Sequence, residues 1–343
     1  LAFACLLLGL WTGLNRIGWD IPLLPVAPHH GAIMVGGFLG SLISLEKIIP
    51  LRKKILYIFP VMSAASAVLF LLGHPLIGFA ALVLASVGLT SVFVTYFLKE
   101  RNLIYLLMVG GGICWLTGNV LLVSTKFYPM SFPWWLGFAL CIITSERLEL
   151  MKFLPVRDAT KKLLVIFLGL YITGVLLPFH GIGQTIRGIA LIAIALWLMR
   201  NDMIGISIRK TLLPRFTAVA LLSGYVAMLL SGVFFLALKD QALAYDAIVH
   251  TFFLGFVFSM IFAHGPIILP GVLGISFKPY HKILYAWLLL LHLSWITRIL
   301  ADVILNMQLR KVSALASVLS ILCYFATIAT LTIISQRRHA KIL

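Results

Sequence analysis

The chain has 343 residues, 62% of them hydrophobic and 11% charged, and its 27 Lys and Arg against 10 Asp and Glu give a net charge of +17. Soluble globular chains are roughly half apolar and about a quarter charged, so this composition excludes that class. A nucleic-acid binder displays its basic residues on a polar folded surface. Here they stand between apolar runs, so the expected partner is the lipid bilayer and no nucleic acid.

A helix that spans a bilayer needs about 20 mostly apolar residues. Twelve stretches meet that need, at 1–18, 30–47, 54–73, 75–98, 102–124, 131–150, 162–179, 182–200, 214–237, 243–270, 279–300 and 312–335. The expected fold is an all-α integral membrane protein of twelve transmembrane helices, a single polytopic domain over 1–343. Leu1 lies inside the first apolar run, so the chain reads as truncated at its N-terminus. With twelve spans, twenty basic residues, among them Arg52, Lys53, Lys99 and Arg147, fall on one side, and seven, among them Arg187, Arg298 and Arg310, on the other. The positive-inside rule then puts both termini in the cytoplasm, as for a bacterial inner-membrane protein.

Trp134 and Trp135 follow Pro133 at the outer end of the sixth stretch and read as interfacial anchors. Cys5, Cys114, Cys141 and Cys323 fall in four different stretches, without zinc or haem-attachment spacing, and read as small buried apolar residues.

Ionisable residues inside a membrane helix are costly to bury and mark candidate sites. His30 opens the second stretch and His250 the tenth, both running from outside to inside, so their imidazoles lie at similar depth. His292, on the eleventh stretch running the other way, climbs about 20 Å and reaches the same layer. Three imidazoles in one layer suit a metal or a haem. Gly31, Gly36, Gly37 and Gly40 clear one side of the second helix, either for a flat macrocycle or for a packed neighbour. His29, His74 and His180 read as interfacial loop residues without a ligand role. His264 lies about 21 Å along the axis from His250. It belongs with Glu46, Glu146 and Glu149 to an inner polar group, read either as a proton or ion site or as an interfacial salt-bridge cluster. Arg298 and Asp302, four apart, form a natural helical ion pair or a site for haem propionates.

The His-Gly-x-x-Met opening at His30 to Met34 and the outer histidine of the tenth helix resemble the catalytic subunit of haem–copper oxidases and nitric oxide reductases. That resemblance implies a haem–copper-oxidase-subunit-I-like bundle in which histidines of helices two and ten, here His30 and His250, ligate low-spin haem. The stretches from His30 to Lys47, from His250 to Leu273 and from His292 to Arg298 look closer still to NnrS-type membrane proteins. Those are described as haem- and copper-containing relatives linked to nitric oxide stress. The sequence departs from the oxidases where their copper histidines would stand: 131–150 holds no histidine, and Thr251 and Phe252 follow His250. Oxygen reduction at a binuclear centre is therefore not expected.

The resemblance implies one or two haems b, with copper as a lesser expectation, and His30, His250 and His292 as haem or metal ligands with Arg298 on the propionates. The expected role is electron transfer or the handling of nitric oxide or a related small gas, with haem-dependent oxidoreductase activity left open. Electrons would come from a periplasmic carrier or from other subunits of a respiratory complex. Two alternatives stay open: a twelve-helix secondary transporter, and a non-catalytic membrane subunit of a respiratory complex.

Overall fold

A computed structural model of the chain describes residues 1–339 apart from 23, 179, 180, 239, 240, 242, 273, 274 and 276, and leaves aside the side chains of 153, 272, 338 and 339. His180 and the His339 side chain thus lie outside the described residues. The chain is 86% helical, with no strand among the described residues. In lipid this is what backbone chemistry requires, because a helix satisfies its own N–H and C=O groups where no water can.

In chain order the long helices are α1 Ala2–Arg16, α2 Ala27–Leu51, α3 Lys54–Leu71, α4 Pro75–Lys99, α5 Leu103–Thr125 and α6 Tyr128–Leu150. They continue with α7 Asp158–Leu176, α8 Ile182–Asn201, α9 Leu212–Ala237, α10 Ala244–Gly271, α11 Leu284–Val303 and α12 Met307–His339. All twelve expected stretches are helical, and ten helices among the described residues are long and apolar enough to cross a bilayer. The other two are α1 and α6. With 15 residues, α1 measures about 22 Å at ~1.5 Å per residue, short of a hydrocarbon core of about 30 Å. Length is not the issue for α6, which ends in the polar run Ser145, Glu146, Arg147 and Glu149. Most of its side chains from Ser131 to Leu148 are buried, so it faces protein rather than lipid and has less need to be apolar.

The described chain divides into two compact units, Leu1–Glu149 and Leu150–Leu343. In the first unit α1 runs antiparallel to α2. Cys5, Gly9 and Gly13 stand against Gly37, Met34 and His30 in turn. The glycines of α2 serve helix packing, since each is covered by a neighbour: Gly31 by Tyr128, Gly36 by Leu82, Gly37 by Cys5 and Gly40 by Trp115. Trp115 in turn stacks on Phe138 at 5.1 Å. Buried polar groups tie the helices together. Ser63 donates to the Gly36 carbonyl at 2.8 Å, Asn119 Nδ2 to the Leu82 carbonyl at 3.2 Å, and Trp135 Nε1 to Asn119 Oδ1 at 3.0 Å. Trp135 is 3% exposed, so it is an internal strut and not the interfacial anchor expected from its neighbours. Cys114 and Cys141, unrelated by any spacing rule, come side by side between α5 and α6.

In the second unit α9 packs between α8 and α10. Where α8 meets α9, the backbones nearly touch: a Cβ at Gly188 would lie 2.8 Å from the Gly232 carbonyl oxygen, and one at Gly232 would lie 2.7 Å from that of Gly188. Beside this crossing, Arg187 is buried, donates to the Gly174 carbonyl at 3.1 Å and lies over the Phe235 ring. Tyr324 of α12 stacks on Phe262 of α10 at 3.7 Å and donates to its carbonyl at 2.6 Å. Ser294 and Ser317 join α11 to α12 at 2.7 Å.

The glycine crossing gives a prediction. Gly232→Ala forces α8 and α9 apart and costs about 1–3 kcal/mol, read as a lower melting temperature of the detergent-solubilised protein. Gly110→Ala, whose Cβ meets nothing within 4 Å, leaves the melting temperature unchanged or raised. Equal behaviour of the two variants contradicts the crossing.

Candidate functional site

Among the described residues each unit contains one helix with a run of π-type turns, and each run follows a histidine. In α2 the residues Ile33–Gly40 form wide π-type turns just after His30. In α10 the residues Thr251–Val257 do so directly after His250. π turns are rare, appear mostly as single-turn bulges within α-helices, and are frequently found at functional sites. Both runs are followed by a serine that bonds back into its own helix, Ser41 to the Gly37 carbonyl at 2.6 Å and Ser259 to the Gly255 carbonyl at 2.6 Å.

The hydrogen-bond partners assign the ring protons. His30 Nδ1 lies 2.9 Å from the Gly9 carbonyl of α1 and 3.3 Å from the Thr12 hydroxyl. A carbonyl can only accept, so Nδ1 carries the proton and the ring's lone pair is on Nε2. Gly13 makes room for this ring, since a Cβ there would sit 3.1 Å from His30 Cε1. His250 Nδ1 donates to the Asp246 carbonyl one turn earlier at 2.9 Å, with the same outcome. A ring held at Nδ1–H by an acceptor is the usual construction of an axial or metal-ligating histidine.

His292 has the opposite tautomer. Trp295 Nε1, which can only donate, gives its proton to His292 Nδ1 at 3.0 Å. Nε2 therefore carries the proton and donates to Ser259 at 3.0 Å. Both nitrogens are used inside the second unit, so His292 acts as a brace between α10 and α11, and its expected ligand role would require breaking one of these bonds. It borders an open apolar cleft of about 340 Å3 between α9 and α11 that is also lined by Val226, Trp295 and Ile296. His264 donates to the Met260 carbonyl at 2.7 Å, but it lies in regular helix two residues before Pro266.

Around His250 the ends of α10, α11 and α12 carry a charge network. The Asp246 carboxylate lies 3.3 Å from His250 Nδ1 and accepts both prongs of Arg298, Nε at 2.9 Å and Nη2 at 3.0 Å. Arg310 reaches Asp246 through Nη2 at 3.0 Å and Asp302 through Nε at 2.7 Å. The last contact is close but poorly aligned, leaving the buried Asp302 oxygens without an aligned donor. Arg298 and Asp302 thus do not pair with each other as their i,i+4 spacing suggested. Each takes a partner from another helix, and the guanidinium fork foreseen for a propionate is filled by Asp246. Asp246 and Arg310 escaped the sequence reading, although the spacing of Asp246 and His250 on one helical face was available.

The inner polar group resolves in part. Lys47 joins Glu46 at 2.9 Å and Glu146 at 2.6 Å, an ion-pair triad within the first unit, and Tyr96 donates to the Lys47 carbonyl at 2.7 Å. Glu149 is exposed at the end of that unit, and His264 belongs to the other unit. Nor is His29 a loop residue: it bonds Tyr128 at 3.1 Å and stacks on Phe70 at 4.8 Å. His74 is exposed just before α4, as expected. No group of three or more His, Cys, Asp or Glu that could hold a metal ion is found among the described residues.

The chain belongs to the family described as Domain of unknown function (DUF8744), whose pattern matches residues 1–333. No curated protein and no solved structure matches it.

The network yields a further prediction. Arg310→Ala leaves Asp302 and part of Asp246 uncompensated and destabilises the protein by about 3 kcal/mol. Combining it with Asp302→Asn restores much of that loss, as a thermal-unfolding double-mutant cycle would record. Additive losses contradict the coupling.

Proposed function

We propose that this chain is a b-type haem protein of the bacterial inner membrane, working in electron transfer or in the handling of nitric oxide or a related small gas. In this reading it is a distant relative of the NnrS-type proteins and of the haem–copper oxidase catalytic subunits. In this reading its helices cross the membrane with both termini in the cytoplasm, and it takes electrons from a periplasmic carrier or a partner subunit. One observation carries the reading: two histidines on different helices share the same local construction, an Nδ1–H committed to a backbone carbonyl and a run of π turns beginning within three residues.

The donor chemistry fits the group. His30 and His250 each hold the proton on Nδ1, which orients the ring and leaves Nε2 as the ligating atom. When bound, haem supplies a one-electron centre, and with an open axial position it also binds a diatomic gas. Thr12 and Gly9 fix the His30 ring against α1. Asp246 fixes that of His250, and Arg298 enters as the clamp on Asp246. His292, braced by Ser259 and Trp295, is assigned no ligand role here.

A reduced-minus-oxidised absorption spectrum of protein produced with ample haem should contain the bands of b-type haem. His30→Ala and His250→Ala should each remove or alter them, while His292→Ala should leave the bands in place. A haem-free wild-type protein overturns the reading, and an unchanged spectrum from either alanine variant removes that histidine from the ligand set.

A further inference from the structure

The two candidate ligands differ in what faces their Nδ1 protons. His30 donates to an uncharged carbonyl and a hydroxyl. His250 donates to the Asp246 carbonyl at 2.9 Å, and the Asp246 carboxylate stands beside the same proton, its Oδ1 3.3 Å from Nδ1. That carboxylate is not left to rotate. Arg298 grips both of its oxygens, at 2.9 and 3.0 Å, and Arg310 adds a third contact at 3.0 Å. Arg310 is itself held by Asp302 at 2.7 Å. The arrangement spans the ends of α10, α11 and α12 and pairs two carboxylates with two guanidiniums. An assembly that only joined three helices would not need its central carboxylate within reach of an imidazole proton.

We infer that Asp246 is a positioning residue for His250, which it holds through its own carbonyl and makes more electron-donating through a carboxylate locked in place by Arg298 and Arg310. An anion facing the Nδ1 proton draws that proton toward itself and raises the basicity of Nε2. A more basic axial imidazole favours the oxidised form of a bound metal, so the potential is lower than a neutral partner would set. The inference rests on the haem reading above.

The test compares haem-loaded wild-type protein with three variants by haem content, absorption spectrum and spectroelectrochemical midpoint potential. Asp246→Asn keeps the carbonyl and the shape but removes the charge. It should retain haem and shift the midpoint potential upward. Asp302→Asn removes a carboxylate from the same network without touching His250 and should shift it distinctly less. Arg298→Lys keeps the network's charge but loses the two-pronged grip, so it should shift the potential in the same direction as Asp246→Asn and serves if that variant does not fold. Unmoved potentials in Asp246→Asn and Arg298→Lys overturn the inference and leave the haem reading intact. Equal shifts from Asp246→Asn and Asp302→Asn also overturn it, because they report the network's charge at a distance rather than the contact with His250. Wild-type protein without haem overturns the haem reading itself.

Discussion

Everything polar inside this chain has to be answered by something else inside it. In hydrocarbon an unsatisfied amide, hydroxyl or charge costs several kcal/mol, with no water to offset it. Much of the architecture follows that constraint, although among the described residues a few buried polar atoms, such as the Ser44 hydroxyl and Trp115 Nε1, make no hydrogen bond. Serine and threonine hydroxyls return to carbonyls of their own helices, as Ser41, Thr144 and Thr251 do. Asn119 serves two neighbours, donating to Leu82 and accepting from Trp135. Asp246 and Asp302 are matched by Arg298 and Arg310.

The same constraint makes the histidines informative. A buried imidazole must place one proton and one lone pair, and its neighbours reveal which nitrogen holds which. Trp295 and Ser259 claim both nitrogens of His292, so its polarity is spent on bracing two helices. His30 and His250 instead give their protons to carbonyls through Nδ1, which orients each ring for work at Nε2. The π turns after both rings put irregular backbone where a regular helix would be the easier solution, a departure frequently found at functional sites.

The helices were legible because twenty-residue apolar runs admit one solution in lipid, and all twelve stretches are helical. Span-forming character was not equally legible. The polar end of α6 escapes a composition count, because an interior helix such as α6 owes its tolerance for Glu146 and Arg147 to neighbours that the linear pattern does not display. The difference of His292 from His30 and His250 was not legible, since its tautomer depends on Trp295, three residues on along the same helix, and on Ser259, which only packing brings to that ring. Spacing favoured the pairing of Arg298 with Asp302. Three-dimensional proximity instead gave Arg298 to Asp246 and Asp302 to Arg310, because contacts between helices can satisfy more of a guanidinium than one turn of a single helix does. Cys114 and Cys141 make the same point, being distant in sequence and adjacent across α5 and α6.

The account stands on two imidazoles prepared at Nδ1 for ligation at Nε2. Low-temperature electron paramagnetic resonance of the oxidised, haem-replete protein tests this most directly. The account predicts a low-spin ferric signal from imidazole-ligated haem that is lost or converted when His30 or His250 is replaced by alanine. A sample with no haem signal, or a low-spin signal indifferent to both substitutions, would contradict it.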